Sequence, residues 1–364
     1  MTHTTLLDKI KFRIAHHGPI SIAEYMGLCL SDPDFGYYMT REPFGTKGDF
    51  TTAPEVSQLF GEIIGAWLVH QWQQDGAPEA FHLVELGPGR GTLMKDILRV
   101  ARLRPAFMKA ARVHLVETSP RLQQTQKNRL KPSDITWHEH FDTIPEGPVY
   151  VVANELFDAL PIHQYVKTQH AWVERCIGLS DTQELVFGLG SGTLDENALP
   201  LAAQTASPGD ILELAPAATA LATTIAQRIA DNGGLALFID YGYTAAALGD
   251  TLQAVKNHAY VSPLETPGEA DLTAHVNFEA LKTAAQTAGT HTHGPIPQAR
   301  FLLELGLLER AGQLGTNRTA QEQNEIRQAV ERLAADNQMG MLFKALAVTT
   351  SATPPMPFSA ENSL

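Results

Sequence analysis

Phe81-His82-Leu83-Val84-Glu85-Leu86-Gly87-Pro88-Gly89-Arg90-Gly91 is an apolar run, an acid, and then three glycines spaced G-x-G-x-G. It leads straight into the helical pattern Thr92-Leu93-Met94-Lys95-Asp96-Ile97-Leu98. A strand that ends in such a loop before a helix lets a ligand approach bare backbone at a helix N-terminus. A dinucleotide pyrophosphate is held by G-x-G-x-x-G, whose third glycine lies one residue further along, inside the helix. Here the third glycine comes early, and Glu85 stands two residues before the first. That pattern suits a cofactor without a pyrophosphate, such as S-adenosylmethionine (SAM), whose ammonium and carboxylate need an acid and free backbone N–H groups. By itself the loop also reads as a tight strand-to-helix turn.

Outward from the loop, Arg112-Val113-His114-Leu115-Val116-Glu117 is a second short apolar run ending in an acid. In doubly wound sheets an acid at the end of the second strand takes the ribose hydroxyls, so Glu117 is the expected ribose ligand. A third strand is expected near Ile135-Thr136-Trp137-His138, with Asp142 beyond it where the adenine amino group would sit. Pro148-Val149-Tyr150-Val151-Val152-Ala153 is apolar almost throughout, as a strand buried on both faces of a parallel sheet must be. It ends in Asn154-Glu155-Leu156-Phe157-Asp158-Ala159-Leu160-Pro161, a cluster expected to face the reacting end of the cofactor, outside the carboxyl ends of the strands.

These blocks resemble the MidA-like class I SAM-dependent methyltransferases, relatives of a mitochondrial complex I assembly factor that methylates a protein arginine. The resemblance covers nearly the whole chain. It rests also on Phe35-Gly36-Tyr37-Tyr38, on Gly48-Asp49-Phe50-Thr51-Thr52-Ala53-Pro54-Glu55, on Ile239-Asp240-Tyr241-Gly242, on Asp271-Leu272-Thr273-Ala274-His275-Val276 and on Met341-Leu342-Phe343-Lys344. It implies a SAM-dependent methyltransferase whose acceptor is an arginine of a protein such as a respiratory complex I subunit. It also implies that the loop carrying Asp49, Thr51, Thr52, Pro54 and Glu55 closes over the methionine end of SAM; as structure alone, that loop reads as a helix N-cap.

Composition narrows the field. A net charge of −13 argues against a nucleic-acid substrate, because phosphate contacts need clustered Lys and Arg. Acidity favours a basic partner or simply keeps the chain soluble. Cys29 and Cys176 stand far apart without a C-x-x-C, so neither a disulfide framework nor a zinc site is indicated. The His-x-His pairs at 138/140 and 291/293 have no third ligand at suitable spacing, so no metal is expected. No apolar run of membrane-spanning length occurs, and the N-terminus reads as neither a signal nor a transit peptide. A bacterial cytoplasmic protein without membrane insertion is expected, its oligomeric state left open.

The expected architecture is α/β: a class I methyltransferase Rossmann-like sheet, mostly parallel with an antiparallel last strand, an N-terminal helical cap and an antiparallel β insertion. The expected parts are a helical cap with lid loop over 1–80, the first part of the SAM-binding domain over 81–161, the β insertion over 162–210, the second part over 211–350 with a helical insertion, and a disordered tail over 351–364. In the cap, Ser21 and Glu24 read as a capping box.

Methyl transfer from a sulfonium to nitrogen is an in-line displacement, so the protein must align the nucleophile and exclude water. A guanidinium acceptor is cationic and needs carboxylates that hold it bidentately and help remove its proton. Glu155 and Asp158, three apart on one face if the segment is helical, are the expected catalytic pair, with Asp240 and His275 in support. Glu85, Gly87, Gly89, Gly91, Glu117, Asp142, Asn154, Thr51, Thr52 and Pro54 are the expected cofactor contacts. Two other readings stand beside this one: a non-catalytic assembly factor on the same fold, and a nucleotide-dependent oxidoreductase.

Overall fold

A computed structural model describes residues 4–41, 51–131, 134–195 and 199–359. The chain divides into two compact units. One gathers residues 51–156, 222–242 and 282–364; the other gathers 1–50, 157–221 and 243–281. The expected 1–80 segment is thus divided at 50/51.

The first unit carries the sheet. Its strands are β1 (Phe81–Leu86), β2 (Ala111–Val116), β3 (Ile135–His138), β4 (Val149–Asn154), β5 (Gly234–Tyr243), β6 (His291–Pro297) and β7 (Phe343–Thr349), in the order β6-β7-β5-β4-β1-β2-β3. The five strands β5-β4-β1-β2-β3 pair in parallel. The strand β7 runs antiparallel to both β5 and β6, as expected of the class I methyltransferase sheet. All six residues of β4 are buried, which explains its unbroken apolar sequence.

Three helices of this unit bear on the site: α1 (Gln58–Gln74), α2 (Thr92–Ala101) and α3 (Pro120–Arg129). Gly61 and Gly65 of α1 let α2 approach closely, because a Cβ at Gly65 would lie 2.9 Å from the Ile97 Cα and one at Gly61 2.6 Å from the Asp96 Cβ. The core beneath is aromatic. The Phe81 ring meets those of Phe107 and Tyr150 edge-on, each at 4.9 Å between centroids, a favoured geometry.

The tail is anchored near its described end. Phe358 is buried beside Trp67 and Phe301, and the Trp67 Nε1 donates to the Met356 carbonyl at 2.6 Å. Proline-rich composition conceals such an anchor, since one aromatic filling a gap leaves no periodicity. Residues 360–364 lie outside the described residues.

The second unit opens with helices Leu6–His17 and Ile22–Ser31. Ser21 caps the second helix by accepting the Glu24 amide at 3.1 Å, but the Glu24 carboxylate bonds Arg13. The capping box is therefore only half made. An antiparallel sheet joins Ile20–Ser21, Trp172–Leu179, His163–Lys167 and Ile211–Leu214, with Leu185–Thr193 pairing on Trp172–Leu179. Ile211–Leu214 pairs with His163–Lys167, so the β insertion continues past residue 210. The strand Leu185–Thr193 includes Gly188, Gly190 and Gly192. Its glycines serve packing: a Cβ at Gly190 would lie 2.6 Å from the Cys176 Sγ, and one at Gly192 2.8 Å from the Glu174 Oε2. Gln253–Lys256, Ala259–Val261 and Asp271–Thr273 form a small separate sheet.

Candidate cofactor site and catalytic carboxylates

At the end of β1 the backbone turns through three left-handed glycines, Gly87 (φ 61), Gly89 (φ 51) and Gly91 (φ 78), conformations that side chains resist. Gly87 has a second reason to be glycine, because a Cβ there would lie 2.8 Å from the Leu156 Cδ1. Gly91 is the N-cap of α2, and no side chain caps that end. The Met94 amide bonds the Glu85 carboxylate, and the amides ahead of it stand at the helix end that favours an anion.

Glu85 is buried, and its Oε2 has no hydrogen-bond partner among the described residues. Burial raises its pKa to about 8; the Met94 amide opposes that shift, and the nearby charges of Glu117 and Asp96 add to it. A carboxylate so placed is short of a cation. Asn154, at the end of β4, likewise has a buried Oδ1 without a partner among the described residues.

Glu117, just past β2, is buried and tied in place. Its Oε1 accepts the Ser119 amide at 2.9 Å and its Oε2 the Gln126 side chain at 3.0 Å. Gln126 of α3 also donates to the Gly89 carbonyl at 2.8 Å and accepts from Trp137 Nε1 at 2.9 Å. This side chain, which no motif marks, sets the glycine loop against the expected ribose acid. Asp142 lies in a short 3-10 turn, Phe141–Thr143, and is exposed.

The described end of the lid loop belongs to this unit. Thr52 occupies the N-cap position of a short helix, Ala53–Val56, without a side-chain cap bond, and Pro54 in the first turn is buried, while Thr51 is half-buried. Glu55 bonds the Thr92 hydroxyl, and the Arg90 and Arg129 guanidinium groups stand 3.4 Å from its carboxylate. Asp49 and its neighbours 42–50 lie outside the described residues.

Glu155 follows β4 with φ 50, rare for a side-chain-bearing residue. Its amide donates to the Ile239 carbonyl at 2.9 Å, and its Oε1 accepts from the Ala53 amide at 2.9 Å and from Asn154 Nδ2 at 3.1 Å. Asp240 is fully buried. Its two oxygens accept the Leu156 amide at 3.1 Å and the Tyr241 amide at 2.9 Å, so it positions the turn that carries Glu155. The helical turn comes later, at Phe157–Ala159. The same-face argument for Glu155 and Asp158 does not hold, because Glu155 is not helical.

Asp158 and His275 belong to the other unit. Asp158 is buried, and its carbonyl accepts the Ala274 amide at 2.9 Å. Tyr38 donates to Asp271 Oδ1 at 2.8 Å; burial and the charges of Asp271 and Asp158 hold its hydroxyl well above the usual phenol range. The His275 amide donates to Thr251 Oγ1 at 2.9 Å. His275 lines a cavity of about 430 Å³ together with Phe157, His163, Glu213 and Tyr243.

The histidine pairs serve other purposes. His138 ends a line of three imidazoles across β1, β2 and β3: His82 Nδ1 lies 2.8 Å from His114 Nε2, and His114 Nδ1 lies 2.9 Å from His138 Nε2. His293 bonds Thr349 and the Ser351 carbonyl at 3.0 Å each. Among the described residues no three His, Cys, Asp or Glu side chains are grouped to hold a metal ion.

Residues 63–296 match a family of S-adenosyl-L-methionine-dependent methyltransferases. The chain is 37% identical to the Drosophila melanogaster protein named "Protein arginine methyltransferase NDUFAF7 homolog, mitochondrial", over 95% of this chain and 85% of that one. It is 34% identical to the human protein arginine methyltransferase NDUFAF7, over 95% and 83%. A crystal structure from Burkholderia thailandensis, described as a methyl transferase bound to S-adenosyl-homocysteine, superposes with a TM-score of 0.86 at 28% identity. It covers 99% of this chain and 96% of that one.

Proposed function

Because the chain belongs to the family of S-adenosyl-L-methionine-dependent methyltransferases, we propose that its acceptor is an arginine of a protein, a subunit of respiratory complex I, methylated in the bacterial cytoplasm. The single observation that supports this acceptor most is the identity of 37% over 95% of the chain to a relative named as a protein arginine methyltransferase. Two free, buried cysteines suit a reducing compartment.

The residues present fit the cofactor. Glu85 offers a buried carboxylate oxygen without a partner, Asn154 a buried amide oxygen, and the glycine loop bare backbone ahead of α2. Glu85 would take the ammonium, the first amides of α2 the carboxylate, and Glu117 the ribose diol. Thr51, Thr52 and Pro54 would cover the methionine end, and Asp142 would meet the adenine. When bound, SAM supplies an electrophilic methyl group on a sulfonium.

For the acceptor, Glu155 is the leading carboxylate. It accepts guanidinium N–H groups and takes up the proton released as nitrogen becomes bonded to carbon. The left-handed backbone at Glu155, held by the Ile239 carbonyl and by Asp240 through Leu156, fixes where that carboxylate points. Asp158 and His275, which belong to the other unit, are assigned to the protein substrate on the family motifs that carry them. The test is mass spectrometry of complex I from cells with and without the gene. One or two added methyl groups on an arginine, present only with the gene, support the reading; identical spectra overturn the acceptor.

A further inference from the structure

The cavity on which His275 stands has walls whose chemistry selects a ligand. At about 430 Å³ it lies within the span of roughly 300–1,000 Å³ usual for ligand sites. Ile162, Leu214 and Val276 give it apolar walls, and no Lys or Arg is among the lining residues.

Glu213, Tyr165 and Tyr243 are among its polar wall groups. Glu213 is buried and accepts from neutral donors: Gln164 Nε2 at 2.7 Å, the Thr251 amide at 2.9 Å and Thr251 Oγ1 at 2.5 Å. Arg175 is turned elsewhere, donating to Gln164 Oε1 at 2.9 Å and Asp250 Oδ2 at 2.7 Å. Burial raises the Glu213 pKa, and Asp250 adds to the shift. A second carboxylate, Glu174, binds His163 Nδ1 at 2.7 Å. Burial and the Glu213 charge push the Tyr243 hydroxyl up to about 12, so it stays neutral. The rings of Tyr165 and His163 lie near-parallel, 20° apart, and offer faces on which a planar cation can stack.

We propose that this cavity is a subsite for an arginine side chain of the protein substrate, its stem on Ile162, Leu214 and Val276 and its guanidinium directed to Glu213 and Tyr243. The assignment rests on the reading that the substrate presents an arginine. A long apolar stem with a delocalised cationic head matches both the walls and the missing countercharge.

The test titrates the full chain with acetyl-arginine-amide and with acetyl-citrulline-amide, a neutral probe of similar shape. The arginine probe should bind at least tenfold more tightly. Glu213→Gln should remove that preference, Tyr243→Phe should weaken it several-fold, and Ala280→Phe should block the cavity. A parallel titration with S-adenosyl-homocysteine, retained in each variant, shows that the chain is folded. Equal binding of the two probes, or undiminished arginine binding in both Glu213→Gln and Ala280→Phe, overturns the subsite. If the variants lose the arginine probe but no protein arginine is ever methylated, the subsite stands and the acceptor reading falls. If arginine methylation proceeds with an unchanged KM in the variants, the subsite falls and the acceptor reading stands.

Discussion

The backbone amide of Ala53 donates to the Glu155 carboxylate at 2.9 Å, joining the described end of the lid loop to the first residue beyond β4. Removing the charge while keeping the shape, as in Glu155→Gln, should lower kcat by about 10²-fold or more, the usual scale for a positioned proton acceptor. S-adenosyl-homocysteine affinity should change little. Steady-state kinetics with a calorimetric titration check both; unaltered kcat would remove Glu155 from the chemistry.

Asp240 acts on the same turn from behind, through the Leu156 amide at 3.1 Å. Asp240→Asn keeps one acceptor oxygen and places an NH2 group against a backbone donor. Loss of one such buried bond costs about 1–3 kcal/mol. The expected result is a lower Tm together with a reduced kcat. Lost activity with an unchanged Tm would instead mark Asp240 as a direct participant.

Gly87 pairs a left-handed φ of 61 with a Cβ position 2.8 Å from the Leu156 Cδ1. Gly87→Ala should cost about 1–2 kcal/mol from the backbone alone and weaken S-adenosyl-homocysteine binding. Adding Leu156→Ala relieves only the steric part, so the double variant should recover some of the loss in a thermal melt. Full recovery would show that φ is not the constraint.

Glu85 holds its proton up to about pH 8 because of burial. Binding an ammonium group should ionise it, so at pH 7 association should release about one proton. Calorimetry of S-adenosyl-homocysteine binding in buffers of different ionisation enthalpy reads that number directly, and Glu85→Gln should bring it close to zero. Equal proton release in the two proteins would contradict the assigned partner.

Burial, then the neighbouring imidazoles of His82 and His138, hold His114 down at about 4, and burial lowers His82 and His138 as well. A histidine whose folded pKa lies below its unfolded value takes up its proton first in the unfolded chain. Its contribution to stability is present above about pH 6.5 and is lost as pH falls toward 4. Thermal melts at pH 7.5 and pH 5 should show a lower Tm at the acid end, and His114→Asn should shrink the difference. A difference unchanged in the variant would assign the acid sensitivity elsewhere.

What was legible in the sequence was local. An apolar run must be a strand when both its faces are buried, and three closely spaced glycines must form a loop where side chains are excluded; both follow from neighbours in the chain. Hence β1, β4 and the cofactor loop could be read in advance, with Glu85 and Glu117 at their ends. The same-face argument for Glu155 and Asp158 fails for a long-range reason. Spacing of three means one face only inside a helix, and the Ile239 carbonyl and Asp240, both distant in sequence, hold Glu155 out of it.

The sequence by itself narrowed the class of fold and the kind of cofactor, because the apolar runs, the strand-end acids and the early third glycine are properties of short segments whose combination resembles one family. The tertiary structure alone decided that Gln126 joins Gly89 to Glu117, that Ala53 meets Glu155, and that Phe358 closes the core beside Trp67. These contacts join residues from nine to nearly three hundred positions apart, where no periodicity or motif connects them and only the packed chain sets the distance.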